Sequence, residues 1–194
     1  MELQELWQSE QTPIRKRDSL MKIYGVDSEQ VIEQQHFYEK NHINNEKLVT
    51  ECLDLYGWPK QDEVGEQGIL TICNVIQYSS FEVRSKYLSM MKQAVRDKQL
   101  EARLLARAED RLATDKNQLQ IYGTQIKYYP DSKSFNVWPI KNPKKVDSLR
   151  AEIGLGPIAE FLGSPRFSID WNMENQIKRS IQFEDTKDLR KTSF

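Results

Sequence analysis

The first 116 residues keep one period. Apolar side chains recur at steps of three and four from Leu3 to Leu112, broken near Gly25, Gly57 and Pro59, at Ser79-Ser80 and at about 98–101, and that spacing selects amphipathic helices. A helix is predicted over about 2–24, with Leu3, Leu6, Trp7, Ile14, Met21 and Tyr24 turned inward. Pro13 is expected to kink or split it, and Gly25 to end it. Asp27 or Ser28 then caps a second helix to about Tyr56, with Val31, Tyr38, Leu48, Val49, Cys52 and Tyr56 near one face. Gly57 and Pro59 break the pattern. A third helix is predicted at about 64–78 around Ile69, Ile72, Cys73 and Ile76, and a fourth at about 81–98 around Tyr87, Leu88, Met91 and Val95. The fifth covers about 101–116, with Leu104, Leu105, Ala108 and Leu112 inward.

At Leu119 the period drops to about two. "LQIYGTQIKYY" alternates, "PDSK" at 130–133 has turn chemistry, and "SFNVWPI" returns, so 119–140 is predicted to be a β-hairpin ended by Pro139. An isolated hairpin is marginal in water, so this one must lean on helices or on further strands. Two short helices separated by Gly154 and Gly156 follow. After Pro165 comes a charged helix with a thin stripe of Trp171, Ile177 and Ile181, expected to pack on the surface and fray at its end. The fold class is therefore α+β and mainly α: about five bundled helices, one hairpin and a charged carboxy-terminal helix. The expected organisation is a single domain over 1–165 with an extension over 166–194.

Charge excludes some partners. With 28 basic and 29 acidic residues, the chain offers no electrostatic case for nucleic acid or an anionic membrane. No stretch has the length of a membrane span. The acidic, amphipathic start "MELQELWQSE" is unlike a signal peptide. A cytoplasmic location is expected from these residues, with export by a signal outside them as the alternative. Cys52 and Cys73 are expected to be buried free thiols, with a disulfide between them left open.

Familiar reaction chemistries find little support. His36 and His42 are six residues apart, roughly 240° around a helix, so the two cannot chelate one ion by themselves. Glu39-x-x-His42 has the spacing of a di-iron carboxylate motif, but no second such motif accompanies it. No metal and no cofactor is expected. Gly-x-Ser-x-Gly is absent, and the glycines of "IGLGPIAEF" suit helix ends better than a phosphate loop.

One polar stretch remains, "EDRLATDKNQLQIYGTQ" at 109–125. Arg111 follows Leu104 by seven residues and Ala108 by three, at the edge of the buried stripe. A guanidinium there needs acceptors, which Asp110 or Glu66 can supply. Two readings stand side by side: an ion-pair network tying helix to hairpin, or a polar pocket in which hairpin packing brings Tyr122 and Gln125 close to a helical face.

These segments resemble a bacterial family known as domain of unknown function 6624. "GWP" at 57–59, "VGEQG" at 64–68, "VIQ" at 75–77, "LARAEDRLA" at 105–113, "QIYGTQ" at 120–125 and "RAEIGLGPIAEFL" at 150–162 carry the resemblance. It implies no activity, since the family has no established one. It does imply a set of residues to follow: Trp58, Glu66, Gln77, Asp110, Arg111, Gln120, Tyr122, Gly123 and Gln125. The family commonly has His after the Gln of "VIQ", where this chain has Tyr78. A phenol titrating near 10 cannot replace an imidazole near 6.5 as a base at neutral pH. Either that His is not essential, or this chain binds without turning over.

Three functions follow as expectations. The first is a binding or interaction module for a small polar or anionic ligand or a peptide, with Gln77, Tyr78, Arg111, Gln120, Tyr122 and Gln125 as contact candidates. The second is a hydrolase using Glu66 or Asp110 as general acid or base. The third is a purely architectural polar network, with Gly123 allowing close approach. The expected partner is a small molecule or a protein, and the expected state a monomer or weak oligomer.

Overall fold

The computed structural model describes residues 3–129, 134–165 and 167–191, with side chains of the last helix described as far as Thr186. The expected turn at 130–133 lies outside them. The fold is α+β and mainly helical, with eight α-helices and one antiparallel hairpin among the described residues. None of these helices is long and apolar enough to cross a membrane. The chain forms two compact units, residues 1–100 and 101–194.

The first unit holds α1 (Leu3–Tyr24), α2 (Glu29–Tyr56), α3 (Gln61–Tyr78) and α4 (Phe81–Arg96). Helices α1 and α2 form an antiparallel pair, as the contacts Leu6–Asn45, Glu10–His42 and Arg17–Gln35 show. Of the two effects expected at Pro13, splitting does not occur: α1 runs through it as one helix. Proline leaves the carbonyl four residues earlier without its helical donor. That carbonyl belongs to Ser9, and Asn41 Nδ2 donates to it at 2.7 Å. Asn45 and His42 extend this polar layer by bonding Glu10, which is itself buried.

The α1–α2 seam is narrower than the apolar pattern suggested. Val31, Gln34, Asn45, Val49 and Leu53 form the buried face of α2. Met21, Tyr24, Leu48, Cys52 and Tyr56, all expected inward, are exposed. Two helices meet along one stripe, so apolar residues a third of a turn away stay in water. Cys73 is buried and Cys52 is not, and no disulfide joins them. In α3, Gly65 takes φ 71° and ψ 169°, so regular helix resumes after it.

The second unit holds α5 (Ala102–Asp115), β1 (Ile126–Tyr129), β2 (Ser134–Val137), α6 (Val146–Glu152), α7 (Ile158–Gly163) and α8 (Met173–Lys191). The strands pair from Ile126↔Val137 to Tyr129↔Ser134. Their support comes from within the unit. Val137, Ile140, Val146, Ile158, Leu162 and Ile169 form one core, with Ile126 and Phe161 against it. Helix α8 docks through polar residues that the apolar stripe did not reveal. Ser180 Oγ donates to Ile140 O at 2.9 Å and accepts from Ile140 N at 3.1 Å. Gln176, fully buried, donates to Trp138 O. Ile181, expected inward, is exposed.

Candidate functional site

The ladder is shorter than the predicted hairpin because a carboxylate takes the backbone donors that would have extended it. Asp110 sits one turn beyond Ala106 on the buried face of α5 and has no solvent exposure. Its Oδ1 accepts from Ile121 N at 2.8 Å and Tyr122 N at 3.1 Å. Its Oδ2 accepts from Thr124 N and Thr124 Oγ1, each at 2.9 Å. Three backbone donors of the loop 120–125, those of Ile121, Tyr122 and Thr124, thus converge on one side chain. Burial pushes the Asp110 carboxyl above its ordinary value, and the bonds from Thr124, Tyr122 and Ile121 pull it back only in part.

Gln120 closes the other side of the loop. It has no solvent exposure. Its Nε2 donates to Gln125 O at 3.0 Å and Trp138 O at 2.8 Å, and its Oε1 accepts from Gln125 N at 2.9 Å. The side chain therefore ties the two ends of the loop to each other and to the segment after β2. Gly123 lies between them at φ 71°, a conformation that favours glycine. A Cβ there would stand 2.5 Å from Ile158 Cδ1 and 3.1 Å from Ile140 Cδ1, both in the core.

Arg150 completes the frame. It is buried on α6, one turn after the buried Val146. Its Nε donates to Gly156 O at 2.7 Å and its Nη1 to Tyr122 O at 2.8 Å, while the guanidinium lies over the Phe161 ring. Burial lowers its pKa below the ordinary guanidinium range, opposed by Asp147 and Asp110. Asp147 in turn accepts from Ile158 N, fixing the start of α7.

On this frame the loop keeps several side chains partly open. Ile121, Tyr122, Thr124 and Gln125 are half-buried. Burial raises the Tyr122 hydroxyl above its ordinary value, and the charges of Glu109, Asp110 and Glu152 raise it further. The surroundings of this phenol are thus acidic. Gln125 Nε2 donates to Thr124 Oγ1 at 3.1 Å. Arg111 is half-buried on α5, and the Asp110 expected to hold it directs its carboxylate at the loop instead.

The predicted site residues fall in both units. Asp110, Arg111, Gln120, Tyr122, Gly123 and Gln125 belong to 101–194; Trp58, Glu66, Gln77 and Tyr78 belong to 1–100. In the first unit Glu66 and Tyr78 are exposed on α3. Gln77 is 7% exposed, and its amide makes no hydrogen bond among the described residues. The buried indole Nε1 of Trp58 likewise has no partner among them. In the second unit the structure joins Asp110, Gln120, Tyr122, Gly123 and Gln125 to residues that were not singled out: Thr124, Trp138, Arg150 and Gln176. Arg150 had a signal in the sequence, because it stands four residues after Val146 on an inward period. No group of three or more His, Cys, Asp or Glu among the described residues is arranged to hold a metal ion.

A family model matches residues 25–166; it describes a family of unknown function, DUF6624. The match takes in the whole loop and its frame from α5 to α7. No curated protein and no solved structure matches the chain.

Proposed function

The chain belongs to the DUF6624 family of unknown function, and from that premise we propose that it is a binding module whose recognition surface is the outer side of the loop 120–125. The observation that carries this reading is the use made of Asp110. Its two oxygens are taken by three backbone N–H groups and a hydroxyl, out of contact with water. A general acid or base needs an open path to a substrate proton, and Asp110 has none. Glu66, the other carboxylate considered for hydrolysis, is exposed rather than buried beside an arginine. What the buried polar groups do is hold a loop in one shape, and preorganisation of this kind favours binding by lowering its entropic cost.

The half-buried Tyr122 and Gln125 are the contacts this reading assigns. The ligand class follows from charge. Glu109, Asp110 and Glu152 all act on the Tyr122 hydroxyl, which disfavours an anion there and favours a small polar ligand with a positive charge or several hydrogen-bond donors. The test is a solution NMR screen with cationic, neutral and anionic metabolites. Shifts centred on residues 121–125 with a cationic or neutral ligand are expected. Tyr122→Phe should weaken that binding by about fivefold or more, the worth of one hydrogen bond. Ligands that shift only other residues, or bind Tyr122→Phe equally well, would count against the reading.

A second reading has an observation of its own. The hydrogen bonds of Gln120 and Asp110 are internal, as an architectural network requires. Loss of stability in Gln125→Ala, with every ligand signal unchanged, would favour it.

A further inference from the structure

We propose that the outer half of the α1–α2 hairpin is a self-association surface, on which a second copy of this chain docks through its own hairpin tip about a two-fold axis. Apolar exposure marks the place. At the tip a socket of about 350 Å³ is lined by Met21, Val26, Val31 and Ile32, with Arg17, Asp18 and Gln35 among its walls. Val26 is 62% exposed and Tyr24, one turn after Met21, is 56% exposed. Large apolar side chains grouped this way beside polar residues mark an interaction surface rather than a solvated helix face.

Charge selects the occupant. Between 15 and 24, α1 carries Arg15, Lys16, Arg17 and Lys22 against Asp18 alone. Between 25 and 39, the chain carries Asp27, Glu29, Glu33 and Glu39 with no lysine or arginine. The two helices lie side by side, yet these opposite charges are not paired across the hairpin among the described residues. Arg17 bonds its neighbour Asp18 and the Gln35 amide; Glu39 accepts from Gln35. One side of the tip is thus basic and the other acidic, with an apolar socket between. A surface of that kind is complementary to itself. A two-fold axis sets the basic helix of one copy against the acidic helix of the other and buries both sockets. A partner of single charge would satisfy only half of it.

Sedimentation velocity of the full chain over a concentration series tests this. The expected mass rises with concentration from 22.9 kDa toward twice that value. Higher salt should weaken the dimer, because the charge pairs lie at an exposed rim. Val26→Glu and Ile32→Glu alter exposed positions and should each raise the dimer Kd by about tenfold or more, about 1.4 kcal/mol, with unchanged circular dichroism. Lys22→Glu and Glu29→Lys should each weaken self-association, and mixing the two variants should restore a heterodimer. A monomer at every concentration would overturn the proposal. So would a dimer indifferent to both Val26→Glu and Ile32→Glu, or a charge-reversed pair that does not recover on mixing.

Discussion

At the scale of single residues, Asp110 and Gly123 define the loop by opposite means. Asp110 attracts three backbone donors to one point, and Gly123 lets the chain pass against the core on the way round. Gly123→Ala forces a Cβ into contact with Ile158 at a positive φ. It should destabilise the protein by about 1–3 kcal/mol, read by denaturant unfolding. Asp110 makes a prediction about pH. Its folded carboxyl lies above the ordinary value of 3.8 because burial outweighs the bonds it accepts. The folded state therefore holds this proton more tightly than the unfolded chain. The stability linked to Asp110 is fully present below the unfolded value and is lost as pH rises through the folded one. A carboxyl-carbon NMR titration should give a midpoint above 3.8; a lower midpoint would mean that the hydrogen bonds dominate. The sequence marked Asp110, Gln120, Tyr122 and Gln125 as polar residues crowded together. It did not reveal the direction of Asp110, because helical spacing assigns a residue to a face and says nothing of which backbone groups return to meet it.

At the scale of elements, the helices were legible and the contacts of the last one were not. Helices α2, α4 and α5 follow apolar stripes, and serine opens α2 and α4 while Gly57 closes α2, so local chemistry located most of their ends. Helix α8 shows only a thin apolar stripe because its inward positions are Gln176 and Ser180, which bond the bare backbone of 138–140 in place of a further strand. No periodicity of apolar residues can find such a face. Ser180→Ala removes the hydroxyl with little change of volume and leaves Ile140 N and O without their side-chain partner. It should cost about 1–3 kcal/mol, the penalty for an unsatisfied buried group, and a thermal melt checks it. Little change would mean that water replaces the hydroxyl. Pro13 carries the same lesson inside α1. Its breaking effect is read easily from sequence, whereas the compensating bond from Asn41 to Ser9 comes from another helix.

At the scale of the whole molecule, the family match ends at 166, before α8. The loop and its frame are therefore common ground with the family, and the helix that braces the second unit from behind lies beyond it. The proposed function requires that Asp110 serve as a scaffold for the loop 120–125 and not as a proton carrier. Hydrogen exchange at the amides of Ile121, Tyr122 and Thr124 tests that claim most directly, in the unmodified chain and in Asp110→Asn. Slow exchange at all three is predicted in the former, with acceleration of about tenfold or more in the variant. Three amides exchanging as fast as exposed loop residues, or at rates the substitution leaves untouched, would contradict it.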